Sequence, residues 1–226
     1  MVSHRHTTAR PDGESRRPAT PRDPVVPDPT LPEPGRLDDP VLAAAYTAVM
    51  DLGPSRTTMA EVARRAGVSR MTLYRRYDDL SRVLAALLAA ELGAVVDAVT
   101  AEVAPQPTAR ARLVAAVAAT TRAVARHPLM RRVLELDPDA LLPLVVDRLG
   151  STQRHVRELL VTLVRAGQRR HDGDGSIREG DADLLALTLL VTAQSFIFSA
   201  RVVDAADPRA YDELAVLVDR YLEEAA

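Results

Sequence analysis

The sequence contains no cysteine and no lysine, and aromatic side chains make up only 3% of its 226 residues. Without cysteine there is no disulfide, no thiolate metal site and no cysteine nucleophile, a composition that fits a cytoplasmic protein. Without lysine, all 29 basic residues are arginines. In so alanine-rich a chain this reads as a mark of GC-rich coding, not of functional design. Also missing are a G-x-S-x-G elbow, a phosphate-binding loop, a dinucleotide fingerprint and a paired-histidine metal motif. No strand pattern is present, so the usual α/β scaffolds are unavailable and neither an enzyme, a cofactor nor a metal site is expected. The N-terminus has no apolar segment of the kind a secretory signal needs. One uncharged run, Leu184 to Ala200, reaches seventeen residues, the lower limit for crossing a bilayer. Its Thr188, Thr192, Gln194, Ser195 and Ser199 instead suit a helix buried on several sides of a bundle, so no membrane association is expected.

What is present is organised around Thr57 to Tyr77, TTMAEVARRAGVSRMTLYRRY. Thr58 and Glu61 have capping-box spacing and start a helix. Met59, Val62, Ala63 and Ala66 line its apolar face, leaving Glu61, Arg64 and Arg65 to solvent. Gly67 ends it, since a residue without a Cβ can enter the left-handed conformation of a sharp turn. Ala63 and Gly67 are both expected to be small because the helices cross closely there. Val68 plugs the turn, Ser69 caps a second helix, and Leu73 and Tyr77 form that helix's buried side. Its outward side carries Arg70, Met71, Thr72, Tyr74, Arg75 and Arg76, side chains that can bond base edges, touch thymine methyls and grip phosphate. Between Gly53 and Leu84 seven arginines stand against three acids, in a chain whose net charge is −2. The pattern is a helix-turn-helix whose second helix fits a major groove. Short amphipathic helices around Ala-x-x-x-Gly-Val also occur in plain bundles, so an all-helical interaction protein with a merely structural helix-turn-helix is the alternative.

From Leu37 to Leu88, and most closely over VARRAGVSRMTLYRRY, the sequence resembles the TetR-type bacterial transcription regulators. That resemblance implies an N-terminal three-helix DNA-binding module and a C-terminal helical body whose last two helices make a dimer. One departure is visible. The family often places a phosphate-touching lysine after an aromatic-Pro-x sequence, where this chain has Tyr77-Asp78-Asp79-Leu80; Arg82 or the backbone at that helix start must take over the contact. The expected DNA-binding set is therefore Thr58, Ser69, Arg70, Met71, Thr72, Tyr74, Arg75, Arg76 and Arg82.

In chain order, residues 1–36 hold many of the 16 prolines and no apolar periodicity, which predicts a disordered tail. Two roles are open to it: an inert extension, or an arm in which Arg16, Arg17 and Arg22 reach DNA. Residues 37–84 form the DNA-binding domain, opened by a helix that Asp38 or Asp39 caps, with Pro40 in its first turn and Gly53-Pro54 at its end. Residues 85–226 form the helical ligand-binding and dimerisation domain. A long helix, capped by Asp78 or Asp79, runs to about Val103 and joins the two. Further helices are expected over 108–126, around 130–134, over 140–149 and over 151–169. The loop from His171 to Glu179 has calcium-loop features, but Arg170 would occupy its first ligand position, so it reads as a flexible turn. Helices over 181–203 and 208–224 end the chain.

The fold expected is all-α: the three-helix module followed by an antiparallel bundle. The function expected is a sequence-specific DNA-binding regulator, acting as a homodimeric repressor on a double-stranded, near-palindromic operator. A small apolar or amphipathic effector would meet Gln153, His155, Gln194 and Ser195 in the body. Leu187, Val191, Phe198, Leu214, Leu217, Val218 and Tyr221 would form the dimer interface.

Overall fold

The computed structural model describes residues 31, 33–138, 150–169, 171 and 173–224. Among them ten α-helices follow one another with no strand: α1 (Pro40–Leu52), α2 (Met59–Ala66), α3 (Arg70–Arg76), α4 (Leu80–Val103), α5 (Ala109–Arg126), α6 (Pro128–Leu136), α7 (Ser151–Gln168), α8 (Ala182–Phe198), α9 (Ala200–Ala206) and α10 (Ala210–Leu222). The helix expected over 140–149 and most of the N-terminal tail lie outside the described residues.

The first helix starts where Asp39 Oδ1 accepts the Val41 N–H at 2.9 Å, with Pro40 behind it. It ends where Gly53 takes a φ of +86° and donates its N–H to Val49 O. Thr58 Oγ1 accepts the Glu61 N–H at 3.2 Å and so caps α2. The reciprocal half of the capping box is replaced: the Glu61 carboxylate takes guanidinium bonds from Arg64 and Arg65 at 2.6–2.9 Å. Charge-assisted bonds of this kind are stronger than one from a neutral N–H. Arg65 is consequently no solvent residue. Its side chain is 19% exposed and ties Glu61 to Asp51 of α1.

Gly67 sits at φ +67° and ψ 24°, with its N–H on Ala63 O and Arg64 O. A Cβ there would meet nothing within 4 Å. Glycine is thus required by the left-handed backbone, and the expected close crossing at this position does not exist; Ala63, 2% exposed, is the small residue inside the turn.

A continuous apolar cluster runs from Ala45, Val49, Val62 and Leu73 through Val83, Leu87, Val95 and Val99 of α4 to Ala119, Met130 and Val133 in the body. The 84/85 boundary falls inside both α4 and this cluster. A second cluster packs α5 (Leu113, Val114, Val117) against α7 (Leu160, Val164), α8 (Leu185, Leu189) and α10 (Leu214, Val218, Leu222). By length and composition α4 could cross a bilayer, yet its apolar stripe is buried in the first cluster, where it joins the module to the body.

Two loop expectations are corrected. The helix expected to run from 181 to 203 breaks at Ser199, and α8 and α9 meet at 68°. Beyond the break Ala200 is buried in a small cluster with Ala125 and Tyr211. The 171–179 loop is pinned at its centre: Asp174 accepts the Ala109 N–H, and Ser176 Oγ accepts the Arg110 N–H at 3.1 Å. The loop therefore satisfies free N–H groups at the start of α5.

Candidate nucleic-acid interface

Recognition-helix geometry follows from one cap and one anchor. Ser69 Oγ accepts the Thr72 N–H at 3.0 Å and lies 2.8 Å from the Thr72 hydroxyl. Leu73, 1% exposed, nails the inner side of α3 to the module core. With one side fixed, Arg70, Met71, Thr72, Tyr74 and Arg75 all project to solvent, together with Thr58, Ser69 and Arg82. Met71 is 78% and Tyr74 50% exposed, on the same outward side as Arg70 and Arg75. Neither Arg70 nor Arg75 takes part in an ion pair among the described residues.

Arg76 behaves differently from its neighbours. Its guanidinium is paired with both Asp39 carboxylate oxygens, and it stacks 5.1 Å from the Tyr77 ring centre. Burial pushes the Asp39 carboxyl up, but hydrogen bonds from Arg76 and from the Val41 N–H outweigh it and leave a lowered pKa. Arg76 is thus already engaged in clamping the end of α3 to the start of α1. Asp79 Oδ1 caps α4 by accepting the Arg82 N–H at 2.9 Å; that helix start, with Leu80 as its first residue, lies beside the recognition helix.

Behind the interface the module is fastened to the body at two places. Arg132 of α6 reaches Asp51 O at 3.4 Å, Asp137 bonds Ser55, and Leu136 closes over Gly53, where a Cβ would come within 2.8 Å of it. Near the middle of α4, Glu91 is 5% exposed. Its carboxylate accepts the Gly35 N–H at 3.0 and 3.1 Å and lies 3.2 Å from Nε2 of His127, the residue that opens α6. One carboxylate therefore holds the segment before α1, the linking helix and the α5–α6 corner. The stretch just before α1 is fixed here, although the tail was expected to be disordered through Arg36. Nothing in the local composition marks Glu91. The available signal was a carboxylate midway between Leu87 and Val95, on the apolar stripe of α4.

In the body an elongated cavity of about 260 Å³ lies between α4, α5, α7 and α8. Of the four polar residues expected to meet an effector, Gln153 and Gln194 line it. His155 and Ser195 are exposed instead, because a helix turns roughly 100° per residue and each lies off the inward stripe. Arg112, Thr120 and Thr121 line it as well. Thr121 shares the Val114, Val117, Val124 stripe, which was its visible signal.

The association surface is also corrected. Leu214 and Val218 are wholly buried within the chain; they close its own core against α5, so no partner can use them. Phe198 is half-buried against the first core cluster, and half-buried Tyr221 carries the Arg178 guanidinium 4.7 Å from its ring centre. Leu187, Val191 and Leu217 do remain outside, at 38%, 52% and 51% exposed, and Leu184 joins them at 61%.

The sequence pattern described as bacterial regulatory proteins, tetR family, matches residues 41–87, which span α1 to the first turns of α4. Uncharacterized HTH-type transcriptional regulators of Mycobacterium bovis and Mycobacterium tuberculosis are each 36% identical over 165 residues, covering 73% of this chain and 82% of theirs. The fold is similar to the TetR-family repressor AlkX from a Dietzia strain, with a TM-score of 0.59 and 21% identity over 80% of this chain and 92% of that one. It is also similar to the regulator FadR from Bacillus subtilis, solved with stearoyl-CoA, with a TM-score of 0.59 and 15% identity over 81% and 98%. An all-helical protein that displays such a helix-turn-helix is a DNA-binding transcription regulator. The chain belongs to the TetR family of bacterial regulatory proteins.

Proposed function

We propose that the protein is a ligand-responsive repressor that binds a near-palindromic operator as a homodimer. The carrying observation is the outward side of α3, where Arg70 and Arg75 stand without ion-pair partners beside exposed Met71 and Tyr74. Arg70 and Arg75 read base edges, Met71 and Tyr74 touch thymine methyls, and the Thr58, Ser69, Thr72 and Arg82 side chains face phosphate. Arg76, held by Asp39, sets the angle of the helix. Two chains joined through the exposed apolar residues of α8 and α10 would place two recognition helices one DNA turn apart, ~34 Å.

An effector in the cavity lies against α4, whose first turns belong to the module. A ligand that binds better when the two modules have the wrong separation weakens operator binding by that difference in affinity. Fluorescence anisotropy on DNA fragments selected from the chromosome tests the reading. Sequence-selective binding that falls steeply with salt is expected. Equal, salt-insensitive affinity for all fragments would leave an interaction protein with a purely structural helix-turn-helix.

A further inference from the structure

The cavity in the body has one charged residue among the described residues of its wall, Arg112 near the start of α5. The other lining residues are aliphatic, threonine or glutamine, and no carboxylate is among them. Arg112 Nε is buried without a hydrogen-bond partner, and the guanidinium's bond is a long one, from Nη2 to Gln106 O at 3.3 Å. The acid whose field Arg112 reaches is Asp174. That carboxylate is already taken by the N–H groups of Ala109 and Ser176 and by the Ser176 hydroxyl. Asp174 thus gives Arg112 its field but no hydrogen bond, and the part-buried guanidinium keeps donor capacity that an anion lodged in the cavity would use,.

The space itself is elongated. Its α4 wall runs from Leu92 to Val103, a rise of roughly 16 Å along one helix. The short α4–α5 connection and the Glu91–His127 contact make α5 antiparallel to α4, so Arg112 stands at the Val103 end. Aliphatic side chains from Val96 and Leu92 on α4, and from Val117 and Val124 on α5, continue away from it. Farther along α5 the wholly buried Thr121 has an unpartnered Oγ1.

From this we infer that the effector is an aliphatic carboxylic acid, bound with its carboxylate on Arg112 and its chain along α4 and α5 toward Leu92. The inference rests on the ligand-responsive reading above and specifies the chemistry of that site. A nucleotide or sugar is unsuited because the surface the wall turns to the cavity is overwhelmingly apolar. A cationic amphipath would face Arg112.

The experiment is calorimetric titration of the full-length protein, without DNA, with dodecanoate, dodecanol and dodecylamine. Dodecanoate should bind at one site per chain, and dodecanol and dodecylamine at least about tenfold more weakly, the weight of one bond to a charged group. Arg112→Gln should erase the preference for the acid, and Arg112→Lys, which keeps the charge, should retain part of it; circular dichroism and Tm establish that both variants are folded. Equal binding of acid and alcohol, or undiminished acid binding by folded Arg112→Gln, overturns the assignment. Operator release is scored separately by anisotropy. Acid binding without release overturns the ligand-responsive reading and leaves the ligand class standing; release by dodecanol and not by dodecanoate does the reverse.

Discussion

Adjacent arginines on α3 have different work. Arg75 is exposed and in no ion pair among the described residues, whereas Arg76 spends its charge on Asp39. Arg75→Ala should cost about 1–3 kcal/mol on the operator, relax preference at one symmetric pair of positions and leave Tm unchanged. Arg76→Ala should lower the unfolding free energy by the small amount an exposed pair contributes, ~0.2–1 kcal/mol, with a correspondingly small fall in Tm, and weaken all DNA sequences alike as α3 loosens. Binding-site selection with each variant, beside thermal melts, separates the two.

Glu61 makes a pH prediction of known sign. Hydrogen bonds from Arg64 and then Arg65 hold its carboxyl down at about 2, against an ordinary value of 4.5. A carboxyl depressed on folding contributes its stability above the ordinary range and loses it as pH falls through the folded value. The Tm difference between the unmodified protein and Glu61→Gln should be full at about pH 6 and shrink steadily below about pH 4.5. A constant difference down to about pH 3 would mean the ion pairs contribute nothing.

Among the elements, α4 and α6 decide whether the body can speak to the module. Among the described residues only α4 is continuous through both, and α6 reaches back to α1 through Arg132, Leu136 and Asp137. Glu91 locks these elements together at the one point where the Gly35 N–H, α4 and His127 meet. Glu91→Ala would leave the buried imidazole and N–H without their partner, at a cost of about 1–3 kcal/mol each. Urea unfolding should report that loss, and effector titration should show a smaller change in operator affinity than in the unmodified chain. Normal stability together with normal coupling would make Glu91 a bystander.

On the scale of the whole molecule, the proposed dimer is the decisive property, since on the proposed near-palindrome one recognition helix would read only a half-site. Leu184, Leu187, Val191 and Leu217 leave more exposed apolar surface on α8 and α10 than a monomer has reason to show,. Replacing Leu187 and Leu217 together by glutamate should give a folded species of one-chain mass in light scattering, with operator binding lost and Tm little changed. Val218→Glu should instead fail to fold, because it puts a charge into the chain's own core. A one-chain mass for the unmodified protein at micromolar concentration would remove the dimer.

Periodicity and capping made the module legible from the chain alone. Asp39, Thr58, Ser69 and Asp79 cap the helices, and Gly67 turns the chain, through contacts within four residues. Such local bonds leave a local signature, and so do the outward side chains of a helix whose inner side is a single leucine. What lay beyond reach came from contacts between distant residues. Leu214 and Val218 could as well have faced a partner as α5; Arg112 and Thr121 could as well have been surface and filler; Glu91 could as well have met water as Gly35 and His127, residues 56 and 36 positions away. Helical spacing fixes which residues share a face. Only packing fixes what that face meets, because burial is set by the neighbours that cover it and not by the residues that form it.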